Sequence, residues 1–152
     1  MITYDTILSS FLGKITDYDF LEVDEEYIYS KITEWLNVIF ANPVFRKLFG
    51  SVIIDPDERT VVYTMGTVTS ADDSYNDLFV VETLSLGLVV EWLNPQIKSQ
   101  VNIKQVFSGK EEKYYSQAAH LAEIRALYES SKSEFYKHIR DYGTYNNSYI
   151  KG

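Results

Sequence analysis

The hydrophobic pattern of the chain is centred on residues 78–93, LFVVETLSLGLVVEWL, a run interrupted only by Glu82 and Glu91 and followed by Asn94-Pro95. A surface helix shows one apolar stripe. This segment is apolar almost all round, so as a helix it has to be buried on most sides. At 1.5 Å per residue it spans ~24 Å. A membrane span needs about 20 uninterrupted apolar residues, so this length and the two carboxylates predict a core helix. Gly87 in its interior costs about 1 kcal/mol relative to Ala, which a close helix–helix crossing would explain. Pro95 is expected to end it.

Other periodic stretches surround this one. Ile7, Leu8, Phe11 and Leu12 have helical spacing, with Thr3 as a cap and Gly13 as a stop. Asp24 opens a stronger helix with Glu25 and Glu26 in its first turn, where the helix dipole favours negative charge. Ile28, Ile32, Trp35, Leu36, Ile39 and Phe40 share one face of it, large enough to dock on the central helix. Asn42-Pro43 ends that helix, and residues 44–49 supply one more turn.

The period then changes. Residues 51–54 and 60–65 are rich in β-branched and aromatic residues, with Asp55-Pro56-Asp57-Glu58 between them, which predicts a β-hairpin over about 51–65. Two strands alone are marginal, so the hairpin must pack on helices or pair with something else, a neighbouring subunit being one candidate. Residues 67–76 read as a loop, with Ser74 or Asn76 capping the central helix. Residues 96–107 read as a connector.

Ser108 and Glu111 match a capping box, opening a long helix over about 109–141, ~45–50 Å in length. Its second half is thinner in apolar residues and is expected to project beyond the domain body. The fold class is therefore mainly α: a small helical bundle around the buried helix 78–93, with a hairpin insertion and a long C-terminal helix. Trp35, Leu84, Leu88, Trp92, Leu93 and Leu121 are expected in the core. Residues 1–142 form one domain, and 143–152 form a flexible tail whose Tyr145, Tyr149 and Ile150 order on a partner.

Composition narrows the function classes. With 45% hydrophobic and 24% charged residues, the 152-residue chain is an ordinary globular one. It has no cysteine, hence no disulfide framework and no thiolate chemistry. The first residues lack the basic region and cleavage site of a signal peptide, which points to the cytosol and away from a membrane. Residues 1–75 hold 5 Lys/Arg against 13 Asp/Glu, while residues 76–152 hold 9 of each, so the whole net charge of −8 lies in the N-terminal half. Direct phosphate binding needs a basic surface, so affinity for nucleic acid is not expected. The 13 Tyr, 8 Phe and 2 Trp hint at protein interfaces, although aromatics also fill cores.

Candidate chemistry is sparse. His120 and His138 both fall in the long helix, and neither His120 with Glu123 nor Glu134 with His138 forms the repeated pattern of a helical di-metal site. Asp55 to Glu58 suggests a calcium loop only superficially, since Pro56, Arg59 and the missing downstream ligand spacing defeat it. Phosphate-loop, nucleophile-elbow and zincin motifs are missing. The expectation is no enzyme, with no catalytic residue, no metal and no cofactor.

One resemblance adds to this. The runs LGLVVEWLNPQI and NIKQVFSGKEEKYYSQAAHLAEIRAL, the closing RDYGTYNN and the opening MITYDTILSSFLGKITDYDFLEVDEE resemble the head–tail connector (adaptor) proteins of long-tailed bacteriophages. The likeness covers roughly residues 1–35 and 84–147, and VVEWLNPQI with YSQAAHL is its most specific part. It implies a virion protein of the neck, assembled in the host cytoplasm as a ring of twelve under the portal protein. Such a ring joins the portal to a stopper or tail-completion protein and extends the DNA channel without specific DNA binding. Carried onto this chain, the portal-contacting segment would be residues 135–150, with Phe135, Tyr136, Ile139, Tyr142, Tyr145, Tyr149 and Ile150. The hairpin or the 67–76 loop would then face a neighbour or the next ring. The alternative is a non-catalytic module that binds one partner through its C-terminal helix and tail.

Overall fold

A computed structural model describes residues 1–15, 24–66, 73–106 and 111–145, with side chains described up to Ser99 and from Ala119 to Gly143. The order is β1 (Ile2–Thr3), α1 (Tyr4–Leu12), α2 (Glu25–Phe40), α3 (Pro43–Arg46), β2 (Phe49–Asp55), β3 (Thr60–Met65), α4 (Asp73–Val106) and α5 (Glu111–Tyr145). The mainly helical class, the hairpin and the long last helix are all as expected from the sequence.

Local rules account for most element ends. The Thr3 hydroxyl accepts the Thr6 N–H at 3.2 Å and starts α1, which stops at Gly13. In α2 the six predicted apolar residues are all buried. Asn42 ends α2 and caps α3, its side-chain oxygen accepting the Val44 N–H at 3.0 Å with Pro43 in the first position. In the hairpin turn, Asp55 Oδ1 accepts the N–H groups of Asp57 and Glu58, both at 3.1 Å. Arg59 closes the turn at φ 55°.

The sheet order is β1-β3-β2, all antiparallel. The hairpin's partner is therefore the chain's own N-terminus, with Ile2 opposite Val61 and Thr3 opposite Thr60. A two-residue strand leaves no periodic signal, so the sequence could not disclose it. Val61 is fully buried beneath this pairing.

Three expectations are corrected. α4 does not stop at Pro95 but runs on to Val106, so residues 96–106 are helix rather than connector. Proline removes the N–H that would reach the Glu91 carbonyl, and in the same turn the Gln96 side-chain amide donates to the neighbouring Trp92 carbonyl at 3.2 Å. The start of α4 is at Asp73, so Asn76 is not a cap; it is buried and accepts a 2.7 Å hydrogen bond from the Tyr142 hydroxyl. α5 continues through Gly143 to Tyr145, and its second half is not a projection. Leu121, Ile124, Ser131, Phe135, Ile139 and Tyr142 are buried along it, at steps close to 3.5 residues. Their stripe packs antiparallel on α4, with the Tyr142 ring stacked 4.2 Å from Phe79 at one end of the pair. At the other end, Leu93 and Gln96 share a cavity with Ile124 and Leu127. The Ser108 cap and residues 67–72 lie outside the described residues.

The core runs along α4. Leu84, Leu88, Val80 and Val89 are fully buried, and Leu93, Leu121 and Trp35 are also interior, while Trp92 is half-buried. Each such side chain contributes ~1.5–3 kcal/mol by leaving water. A ring cluster of Phe40, Phe45, Phe49 and Phe135, with centroids 4.9–5.6 Å apart, joins α2, α3, β2 and α5. Every described phenylalanine is buried, so these aromatics belong to the core and not to a partner.

Candidate interaction surfaces

The helical frame leaves a few places where this chain can meet something else. The residues expected to touch a portal divide sharply. Phe135, Ile139 and Tyr142 are 6%, 4% and 3% exposed, closed in by α3 and α4, and cannot reach a partner while the fold is intact. That corrects their assignment: their spacing completes the α4–α5 seam. Tyr136 is 36% exposed, its hydroxyl accepting from the Asn42 amide at 3.0 Å. Tyr145 ends α5, and its side chain, like Tyr149 and Ile150, lies outside the described residues.

The surface between α2, α4 and α5 is grooved on both sides of Glu91. One cavity of about 210 Å³ is lined by Val38, Val90, Glu91, Tyr128 and Tyr136, and a neighbour of about 390 Å³ by Tyr27, Glu34, Glu91 and Trp92. Burial pushes the Glu91 carboxyl above its ordinary range, and the nearby Glu34 adds to this, with Lys98 partly opposing. Lys31 serves Glu34 at 3.2 Å and lies over the Tyr27 ring.

At the hairpin end, polar contacts tie the small sheet to the helices. The Tyr29 hydroxyl donates to Asp5, which raises the Tyr29 pKa. The Arg59 guanidinium stacks 3.7 Å over the Tyr29 ring and pairs with Glu25 at 3.0 Å. The Tyr63 hydroxyl donates to Asp77 on α4, and its pKa is raised, chiefly by burial and then by that carboxylate. Lys14, just past the end of α1, pairs with Glu82 on α4 at 2.6 Å. These contacts fix the positions of α1, α2, α4 and the hairpin relative to one another.

Among the described residues no three His, Cys, Asp or Glu are grouped to hold a metal ion. His120 is exposed and His138 half-buried. The Asp73–Ser99 part of α4 is long and apolar enough to span a membrane, its most apolar 18-residue window having a mean hydropathy of 1.3, yet 56% of that window is buried inside this fold.

One surface escaped the sequence reading. Ile53 and Val62 are cross-strand partners on the outer face of the hairpin, 61% and 42% exposed. The alternation is present on β3, where Val61 points inward and Val62 outward; on β2 the irregularity between Phe49 and Ser51 shifts the phase, so Ile53 faces outward between the more buried Val52 and Ile54.

No family model, curated protein or solved structure matches this chain.

Proposed function

We propose that this chain is a structural virion protein, a head–tail adaptor that forms a ring beneath the portal, extends the DNA channel and links the portal to the stopper or tail-completion protein. The observation that carries the reading is the resemblance of VVEWLNPQI and YSQAAHL to phage adaptors. The first stretch lies on α4 and the second on α5, so both belong to one helical hairpin. A long, stiff hairpin with small elements at its periphery suits a frame that passes load between two rings. Asp24, Glu25, Glu26, Glu34, Asp57 and Glu58 are exposed, and an acidic wall lets DNA slide where a basic one would hold phosphate.

Burial of Phe135, Ile139 and Tyr142 narrows the portal contact on this reading to Tyr136 and residues 145–152. The test is electron microscopy of the purified chain mixed with its candidate portal. A rotationally symmetric extra layer on the portal is the expected result. A single copy bound without symmetry would replace the adaptor with the one-partner module, and no binding at all would remove both.

A further inference from the structure

The open edge of the sheet carries its own complement. β2 is the terminal strand of the order β1-β3-β2, so among the described residues one of its edges has no partner. Tyr4 N donates to the Arg59 carbonyl at 2.9 Å, continuing the ladder in which Ile2 faces Val61. By the alternation of an antiparallel ladder, Thr60 and Val62 then bond toward β2, where they face Asp55 and Ile53. The intervening residues of β2, Val52 and Ile54, present their N–H and C=O groups to the open side. Soluble proteins usually blunt such an edge with lysine, proline or a bulge. From Ser51 to Ile54 there is neither charge nor proline, and the irregularity of β2 lies before Ser51.

We infer that the β2 edge pairs with the β2 edge of a second copy, antiparallel about a two-fold axis at Ile53, making a continuous six-stranded sheet. Three observations select this occupant. In this register Val52 of each copy meets Ile54 of the other, so the free backbone groups satisfy one another. Ile53 meets Ile53 across the axis, and with the two Val62 side chains forms an apolar strip of four residues that are exposed in the single chain. Charge also matches. Lys47 lies beyond one end of β2, and Asp57 and Glu58 lie beyond the other. All three are exposed and make no ion pair among the described residues. Antiparallel pairing brings the basic end of each strand to the acidic end of its mate, twice. A parallel pairing would set like against like.

This pairing does not rest on the adaptor reading. A two-fold contact closes on itself and cannot propagate into a ring, so it belongs to the free chain.

The test uses the purified full chain without a portal. Light scattering is expected to give twice 17.6 kDa, falling to 17.6 kDa on dilution. Ile53→Lys is expected to give monomer at all concentrations with an unchanged helical circular dichroism spectrum. The chain has no cysteine, so a single one reports cleanly. In a non-hydrogen-bonded antiparallel pair the Cα atoms are ~4.5 Å apart, within disulfide reach, so Ile53→Cys is expected to form a covalent dimer without reductant. Ser51→Cys would place the two sulfurs' strands about four residues out of step, ~13 Å, and is expected not to cross-link. A wild-type monomer at high concentration, or a dimer that survives Ile53→Lys, overturns the proposal. So does cross-linking at Ser51 in preference to Ile53. Slow amide exchange of Val52 and Ile54 in a monomer also overturns it, showing that the chain covers this edge itself.

Discussion

Gly87 on α4 and Ile39 on α2 touch so closely that a Cβ on Gly87 would lie 2.7 Å from Ile39 Cδ1 and 2.9 Å from its Cγ1. Ile39 is itself 5% exposed and has little room to give. Alanine is better than glycine in a helix by about 1 kcal/mol, whereas overpacking a core costs typically 1–3 kcal/mol. Gly87→Ala is therefore expected to destabilise the fold by up to ~2 kcal/mol net of its propensity gain. With Ile39→Ala in place, the same change should turn neutral or stabilising. Urea denaturation of the two single variants and the double variant measures the coupling; simple additivity would contradict the crossing.

The 2.7 Å hydrogen bond from Tyr142 to Asn76 spans the α4–α5 seam in a buried setting. Tyr142→Phe keeps the stacked ring but strands the Asn76 oxygen, an expected loss of ~1–3 kcal/mol. Adding Asn76→Leu should recover part of that loss, since removing both polar partners spares the desolvation penalty. Equilibrium unfolding of the pair decides it.

Phe135 and Tyr136 are neighbours in sequence with opposite environments. Phe135 packs 5.6 Å from Phe45, centroid to centroid, and Phe135→Ala should cost ~3–5 kcal/mol. Tyr136→Ala, which loses an exposed hydrogen bond to Asn42, should cost about 1 kcal/mol or less. In the portal-binding assay only Tyr136→Ala is informative, because its fold survives.

Glu91 makes stability depend on pH. Its carboxyl has a higher pKa in the fold than the ordinary 4.5, principally through burial, so the folded state holds the proton more tightly than the unfolded chain. Stability contributed by this group is present below 4.5 and is lost as pH rises through the raised folded value. Glu91→Gln removes the ionised form from the groove. It is expected to raise the melting temperature at pH 7 and to make progressively less difference as pH approaches 4.5. Calorimetry across that range checks the sign; an equal effect at both ends would exclude the linkage.

Much of the fold was legible because the information is local. Thr3, Gly13 and Asn42 punctuate helices through groups within four residues, and the stripe from Ile28 to Phe40 states which face of α2 is buried. Asp55 announces the turn it caps. The near-absence of charge between residues 78 and 93 marks the central helix, and Gly87 within it signals a close neighbour.

Tertiary structure decided what local signals leave open. β1 exists only because Ile2 and Thr3 meet Val61 and Thr60 across almost sixty residues. Pro95 is a stop by propensity, yet it sits inside a helix whose flanking turns are held by α2 and α5. Phe135, Ile139 and Tyr142 were expected at a partner because the resemblance places the portal contact on residues 135–150, and the second half of α5 has few apolar residues. Those few lie on one stripe, and α4 supplies the surface that buries it. Whether an aromatic side chain serves the core or an interface depends on what stands opposite, and only the packed chain specifies that. The same holds for Ile53: alternation puts it on the outer face, and the strand order leaves its edge open.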